Sequence, residues 1–259
     1  MHKRCLRKPD GRRLHLYGFE PIAEGLIAPS PSQAPWQPNS HLRWHPMRGE
    51  WVIYATHRQH RTFLPDAGYD PLAPGDDAGQ PTELPAGNWQ VAVFDNLLLA
   101  LSAMAHAPPQ IEVQTRPGLG ACEVVVFTQD GGASLGQLSV RHIGLLIEVW
   151  AERYRELGAR EDVQYVFAFE NRGAAVGATL HHPHGQIYAY PFPPPVPARE
   201  LEMQRRHFAV HGRGLLEAII AEELRDRDRL LYAGERAVAF DTVPEEKAAE
   251  LRAVEVDLD

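Results

Sequence analysis

The chain has 259 residues, of which 44% are hydrophobic and 23% charged, and its formal net charge is -8. This composition is typical of a globular protein with material for one large domain or two small ones, and the acidic charge argues against a nucleic-acid partner, which requires a basic face. No apolar run approaches the roughly 18 residues that cross a bilayer, and the start lacks a signal-peptide core, so we expect a cytoplasmic protein without a membrane partner.

Residues 1–40 mix charge with proline and serine, which predicts an extended N-terminal arm. We expect the packed domain over residues 41–240 and a charged tail over 241–259. Apolar and β-branched runs predict strands, and apolar repeats of three and four residues predict helices. The predicted strands cover 51–55, 89–94, 111–115, 121–127 and 163–169; the helices cover 139–157 and 198–225, the latter with a break at 212–214; and a hairpin joins 230–232 to 237–240. Because strands and helices do not alternate regularly, the pattern predicts the α+β class, with an antiparallel sheet flanked by helices.

The most informative stretch is His182-Pro183-His184-Gly185-Gln186. In an extended chain His182, His184 and Gln186 would share one face. A neutral imidazole is a nucleophile near pH 7 and an amide can hold a phosphate oxygen, so this row suits attack on phosphorus. Gly185 would let a ligand approach the backbone. A pair of metal ligands and surface histidines on an edge strand remain the alternatives.

Further polar residues follow predicted strands. Arg58 and Arg61 lie three apart just past a strand, where they form either a fork for phosphate oxygens or a solvated basic loop. Asn96 lies at the exit of the strand at 89–94, where ligand contacts are common. The small-residue loop at 170–178 stands directly before the histidines and could wrap a ligand.

Taken together in chain order, these motifs resemble those of the galactose-1-phosphate uridylyltransferase family of the histidine-triad superfamily. The resemblance covers roughly residues 41 to 240, and the joint order of the motifs is far more specific than any one of them. The matching motifs are Arg43-Trp44-His45-Pro46-Met47-Arg48-Gly49-Glu50-Trp51, His57-Arg58-Gln59-His60-Arg61, Phe94-Asp95-Asn96, Phe169-Glu170-Asn171-Arg172-Gly173-Ala174-Ala175 and His182-Pro183-His184-Gly185-Gln186.

The resemblance implies a histidine-triad-like half-barrel and a role for each matched residue. His184 would accept UMP from UDP-glucose as a covalent nucleophile, and a hexose 1-phosphate, galactose 1-phosphate, would then take the UMP. Gln186 would hold the phosphate. The remaining substrate-binding residues would be Asn171, Gly177, Ala178 and Thr179 around the nucleotide, and Arg58, Arg61 and Asn96 on the uridine diphosphate. Related activities on ADP-glucose or a dinucleoside polyphosphate, and a non-catalytic nucleotide-binding remnant, are the alternatives.

The metal positions of the family depart from its pattern here. The sequence has two cysteines, Cys5 and Cys122, and no Cys-x-x-Cys pair. By the resemblance, the usual zinc-binding cysteines would be Asp70 and Ala73, and one histidine would fall near Gly131. His182 alone remains of the set, so we expect the cysteine-type zinc site to be absent. A second family metal position maps to Glu200, whose histidine partners belong to another part of the family's sequence.

The resemblance also implies a missing part. Family members carry a second, similar half after the hairpin, which contributes sugar-binding residues across a homodimer interface. Here about twenty residues follow Phe240 and do not resemble it. The resemblance therefore implies a chain without the C-terminal half, in which release of glucose 1-phosphate survives better than transfer of UMP to the second sugar phosphate.

Overall fold

The computed structural model describes residues 1–32, 34–36, 38–58, 69–75, 81–173 and 180–240. Two compact units, Met1–Pro193 and Pro194–Asp259, divide the chain. Elements are numbered in chain order. The strands are β1 (His2–Arg7), β2 (Arg13–Gly18), β3 (His41–His45), β4 (Glu50–Tyr54), β5 (Pro74–Gly75), β6 (Leu84–Pro85), β7 (Val91–Asp95), β8 (Thr115–Pro117), β9 (Ala121–Val126), β10 (Tyr165–Phe169), β11 (His184–Tyr190), β12 (Leu230–Ala233) and β13 (Val238–Phe240), and the helices are α1 (Val140–Gly158), α2 (Pro195–His211) and α3 (Leu215–Asp226).

A six-stranded sheet forms the centre of the first unit. Its strand order is β1-β2-β7-β9-β11-β10, and every neighbouring pair is antiparallel. A smaller antiparallel sheet, β4-β3-β8, belongs to the same unit. The predicted α+β class with an antiparallel sheet is therefore confirmed, and helix α1 of this unit packs on the sheet.

Helix α1 covers one face of the large sheet. Its N-terminus is capped by Ser139, whose side chain accepts a hydrogen bond from the backbone N–H of His142. The apolar stripe of α1 is buried together with inward residues of β7, β9 and β11, which removes it from water. The predicted helix at 139–157 is confirmed, with its first helical residue at Val140. The opposite face of the sheet is the one that carries the polar site described below.

The expectation of an extended arm over residues 1–40 is wrong for its first half. β1 and β2 pair with each other, and β2 also pairs with β7 inside the large sheet. The charged residues in and around these strands made them look like an exposed segment in the sequence, because the acidic residues that pair with them lie far along the chain. The guanidinium of Arg13, for example, makes two hydrogen bonds to Asp95, at 2.8 and 3.0 Å. Residues 19–32 contain no regular element, as expected of an extended segment.

A buried ion network anchors the turn between β1 and β2. Arg12 is fully buried, and its guanidinium contacts Asp10 at 2.8 Å and Glu83 at 2.9 Å. Lys8 contacts the same Glu83 carboxylate at 2.6 Å. Because each buried charge has a partner of opposite sign, the cost of desolvating it is partly offset. The network joins the first hairpin to the residues preceding β7.

Other strand predictions have mixed outcomes. The strands predicted at 51–55, 89–94, 121–127 and 163–169 are confirmed as β4, β7, β9 and β10, with shifts of one or two residues at their ends. The strand predicted at 111–115 is wrong, because only Thr115–Pro117 pairs, with β3. Ile111 is 44% exposed, so this apolar residue does not belong to a buried strand.

The second unit contains α2, α3 and the β12-β13 hairpin. The helical segment predicted at 198–225, its break at 212–214 and the final hairpin are confirmed. Gly212 ends α2 with a φ of 68°, a left-handed conformation that glycine adopts without a steric penalty. The tail predicted at 241–259 lies outside the described residues. In the part of the chain that the structure describes, no helix has the length and apolar character that a membrane span needs.

Candidate active site

Strand β11 presents two of the predicted catalytic side chains to the same face. Burial alternates along the strand: Gly185, Ile187 and Ala189 are buried, while the intervening side chains are half-buried. Ile187 and Ala189 pack in the core beneath α1. His184 and Gln186 therefore point to the other face, as the period of a strand requires.

The ring of His184 is held in one tautomer. Its Nδ1–H donates to the backbone carbonyl of His182 at 2.8 Å, because a carbonyl oxygen can only accept. In the neutral ring this leaves the lone pair on Nε2. Burial lowers the pKa of His184 below its ordinary value; the bond to the His182 carbonyl opposes this shift and the charge of the neighbouring His182 ring adds to it. The ring is thus neutral and nucleophilic near pH 7.

His182 does not join that row. It precedes β11, is 3% exposed and makes two ring contacts, from Nδ1 to Asp70 Oδ2 at 2.7 Å and from Nε2 to the Thr128 carbonyl at 2.8 Å. Burial acts to lower the pKa of His182, but the hydrogen bonds to Asp70 and Thr128 outweigh it and raise the pKa. The prediction of three side chains in one row was wrong for His182, because the regular strand begins only at His184.

A cavity of about 310 Å³ lies over His184 and Gln186. It brings together five of the predicted site residues from four separate parts of the chain. Arg58 ends a short 3-10 helix after β4, Asn96 follows β7, and Asn171 follows β10. The residues lining this cavity are Arg58, Pro71, Leu72, Glu83, Phe94, Asn96, Leu97, Leu98, Val124, Phe169, Asn171, Leu180, His184, Gln186 and Tyr188. We call it the nucleophile cavity.

A second cavity of about 430 Å³ meets the first at His184. Asn171, Leu180 and His184 line both cavities. The second is otherwise formed by residues 131–134, 170–173 and 181–183, which include the cationic Arg172. The side chain of His184 therefore lines both spaces, and a ligand in either one can approach it.

Four predicted substrate-binding residues, Arg61, Gly177, Ala178 and Thr179, lie outside the described residues. Glu200 lies in α2 and is exposed. Among the residues that the structure describes, no three His, Cys, Asp or Glu side chains gather as a metal ion would need. The metal assignments of His182 and Glu200 therefore stay predictions without support from the geometry.

The donor set at the family's zinc position does not fit a zinc ion. Gly131 lies against Asp70 and His182, because a Cβ at this glycine would stand 3.0 Å from both Asp70 Oδ2 and His182 Nδ1. Of the four positions, only Asp70 and His182 carry a donor group, and both nitrogens of His182 are already bonded. Structural zinc sites use four protein ligands.

Sequence reasoning missed the apolar walls of the nucleophile cavity and the partner of His182. Leu72, Phe94 and Val124 belong to a core cluster on this face of the sheet, and only the nearly continuous apolar runs of β7 and β9, which are buried on both faces, hint at it. Gly185 was also misinterpreted. A Cβ there would stand 2.8 Å from the Phe169 carbonyl and 3.0 Å from the Phe127 ring, so neighbouring protein approaches this glycine and not a ligand.

The fold is shared with known uridylyltransferases. A solved uridylyltransferase structure superposes with a TM-score of 0.67 over 82% of this chain and 72% of its own, at 23% identity. The family model for the N-terminal domain of galactose-1-phosphate uridyl transferase matches residues 32–194. The chain therefore belongs to the galactose-1-phosphate uridyl transferase family.

Two relatives give the extent of the similarity. The galactose-1-phosphate uridylyltransferase of Streptomyces lividans is 34% identical over 244 residues, which cover 93% of this chain and 63% of that protein. The enzyme of the same name from Thermotoga maritima is 37% identical over 159 residues, which cover 59% of this chain and 47% of that protein. The chain thus spans about half to two thirds of the length of these relatives.

Proposed function

We propose that this protein transfers UMP from UDP-glucose to galactose 1-phosphate through a covalent uridylyl group on His184. The observation that carries the proposal is the bond from the His184 Nδ1–H to the His182 carbonyl, which leaves the lone pair of the neutral ring on Nε2 of a side chain that lines both cavities. The names of the relatives support the substrates.

The chemistry divides into two in-line displacements. In the first, Nε2 of His184 forms a bond to the α-phosphorus of UDP-glucose, the bond from that phosphorus to the bridging oxygen breaks, and glucose 1-phosphate leaves. In the second, a phosphate oxygen of galactose 1-phosphate attacks the same phosphorus, the bond to Nε2 breaks, and UDP-galactose leaves. The electron pair returns to Nε2, so His184 is regenerated.

The polar residues of the nucleophile cavity have complementary roles in this proposal. Gln186, two residues beyond the nucleophile on the same face, donates its amide N–H to an oxygen of the transferring phosphoryl group. Arg58 supplies a fixed positive charge for the diphosphate. The side chain of Asn96 is oriented by the chain that follows it, since its Oδ1 accepts from the backbone N–H of Leu98 at 2.9 Å. Its amide N–H₂ can then donate to the nucleotide.

Incubation with UDP-glucose labelled in the uridylyl phosphate tests the activity. We expect acid-labile label on the protein and its absence in His184→Ala. His106→Ala is the matched control, because His106 is exposed and lines neither cavity. A parallel incubation with labelled ADP-glucose tests the related phosphorylase activity. Label from ADP-glucose alone, or label that persists in His184→Ala, would contradict the proposal.

We also propose a cytoplasmic location. The two cysteines of the sequence, Cys5 and Cys122, are both free of disulfides, as is usual in a reducing compartment, and the relatives are named as enzymes of sugar-phosphate metabolism. Fractionation of cells that express the intact gene tests this location, and recovery outside the cytoplasmic fraction would contradict it.

A further inference from the structure

We propose that an ion pair between Asp70 and His182, here called the Asp70–His182 clamp, replaces the family's zinc ion and positions the nucleophile His184. Its role in catalysis rests on the proposed function, whereas its metal-free character does not.

Both ring nitrogens of His182 face atoms that can only accept hydrogen bonds. One partner is the Asp70 carboxylate at 2.7 Å and the other is the Thr128 carbonyl at 2.8 Å. Each nitrogen must therefore carry a hydrogen, which makes the ring an imidazolium. The side chain of His182 is fully buried, so its positive charge is balanced at short range by Asp70.

The carboxylate is itself held in place. Asp70 Oδ1 accepts from the backbone N–H of Leu72 at 2.9 Å, and Leu72 packs in the core cluster below the nucleophile cavity. Asp70 therefore binds His182 with one oxygen and fixes its own loop with the other. Although the Asp70 side chain is 37% exposed, protein hydrogen bonds hold both of its oxygens, so the carboxylate can orient an imidazole as the outer-shell partners of metal ligands do.

Among the residues with described positions, no third His, Cys, Asp or Glu completes a metal site here. Ala73 and Gly131 have no donor group, and a Cβ at Gly131 would stand only 3.0 Å from both Asp70 Oδ2 and His182 Nδ1. A site of one carboxylate and one fully bonded imidazole cannot bind zinc in a closed tetrahedron. Hydrogen bonds instead join His182 to Asp70 and to the Thr128 carbonyl, three residues before Gly131.

The clamp acts on the nucleophile through the backbone. The carbonyl of His182 accepts the Nδ1–H of His184 at 2.8 Å, and the carbonyl of Pro183 accepts the N–H of Phe127 at 3.0 Å. A shift of His182 therefore moves the acceptor that sets the tautomer and direction of the His184 ring. Misplacement of a reacting group by about 1 Å can cost on the order of 100-fold in rate.

The first experiment measures uridylyl transfer in Asp70→Ala and Asp70→Asn. We expect a kcat about 10- to 100-fold lower in Asp70→Ala with an unchanged KM for UDP-glucose, as for the loss of a partner that orients a metal-bound histidine. Asp70→Asn keeps an acceptor oxygen and should recover part of the rate. Asp162→Asn is the matched control, because it breaks a half-buried ion pair with Arg160 outside both cavities. An unchanged kcat in folded Asp70→Ala would overturn the positioning role.

The second experiment measures metal content and does not depend on activity. We expect the intact protein, purified without added metal, to hold no stoichiometric zinc, and Asp70→Cys/Ala73→Cys/Gly131→His to hold one zinc per chain. Cobalt(II) is the spectroscopic probe, since thiolate coordination gives a charge-transfer band. If the triple variant does not fold, Asp70→Cys/Ala73→Cys supplies three ligands with His182. One tight zinc in the intact protein, or folded variants that bind no metal, would overturn the replacement.

Discussion

Gln186 lies on the same face of β11 as His184 and lines the nucleophile cavity. In the proposed mechanism, replacing it by alanine removes one hydrogen-bond donor to the phosphoryl group whose charge increases in the transition state. We expect Gln186→Ala to slow formation of the uridylyl adduct by about 10- to 1000-fold. Rapid-quench measurement of labelled protein checks this, with exposed Gln164→Ala as the control. Equal rates in the two variants would show that Gln186 does not contact the phosphate.

The protonation of His184 predicts the pH dependence of the same step. Its pKa is lowered from the ordinary 6.5, chiefly by burial, and only the neutral ring is a nucleophile. The inflection of the pH–rate profile should therefore lie below pH 6.5, with the rate falling at lower pH as the ring becomes protonated. Single-turnover rates at pH values above and below 6.5 provide the measurement. An inflection at or above pH 6.5 would contradict the neutral, buried nucleophile.

At the scale of residues, the sequence could reveal chemistry but not every contact. The spacing of His184 and Gln186 predicts their common face correctly, because a strand repeats every two residues. The same spacing places His182 wrongly, since its conformation is set by Asp70, 112 positions away in the sequence. The partner of a buried histidine cannot be read from local pattern, so the sequence analysis missed the contact between Asp70 and His182.

The pairing of β10 with β11 depends on Gly185. A Cβ at this position would stand 2.8 Å from the Phe169 carbonyl, which belongs to the neighbouring strand and cannot rotate away. We expect Gly185→Ala to lower the free energy of unfolding by about 1–3 kcal/mol and to reduce uridylyl transfer, because His184 is the adjacent residue. Gly144→Ala is the control, since Gly144 lies in α1 with open space around its Cβ. Urea unfolding of both variants checks the difference, and equal losses would contradict it.

Strand β2 should make the fold sensitive to acid through His15. Burial, followed by the nearby charge of Arg153, lowers the pKa of His15 to about 3 from 6.5. The unfolded chain therefore binds a proton between pH 6.5 and 3 that the folded chain does not. Stability is lost as the pH falls through this window, with a slope approaching about 1.4 kcal/mol per pH unit.

The variant His15→Phe isolates this contribution. Urea unfolding at pH 7, 6, 5 and 4 should show a smaller loss of stability for His15→Phe than for the unchanged protein as the pH falls. The exposed His106→Ala variant should follow the unchanged protein. Parallel curves for His15→Phe and the unchanged protein would mean that His15 is not buried in its neutral form.

Elements with a regular apolar period were predictable, and elements that bury charge were not. Helix α1 and strand β9 follow their apolar patterns and were placed within one or two residues. β1 and β2 were missed because Lys8, Arg12 and Arg13 look like a solvated basic segment. Besides Asp10, which is local to Arg12, their acidic partners are Glu83 and Asp95, about 70 to 80 residues later. A local pattern contains no information at that distance.

At the scale of the whole molecule, the site joins segments that are distant in sequence. The nucleophile cavity takes residues from the end of a 3-10 helix after β4, from the loop before β5, and from β7, β9, β10 and β11 or the segments that follow them. The order of the motifs predicted which polar residues would meet, since family members share that order. The apolar walls were not predicted, because in the sequence a leucine or valine that lines a cavity cannot be distinguished from one in the hydrophobic core.

The central claim is that His184 carries UMP between two sugar phosphates. The most direct measurement is brief incubation with UDP-glucose, an alkaline quench, and mass spectrometry of the peptide that contains His184, together with assay of released glucose 1-phosphate. We predict one uridylyl group per chain on His184 and one glucose 1-phosphate released for each group bound. An unmodified His184 in protein that releases glucose 1-phosphate, or a uridylyl group on another residue, would contradict the account.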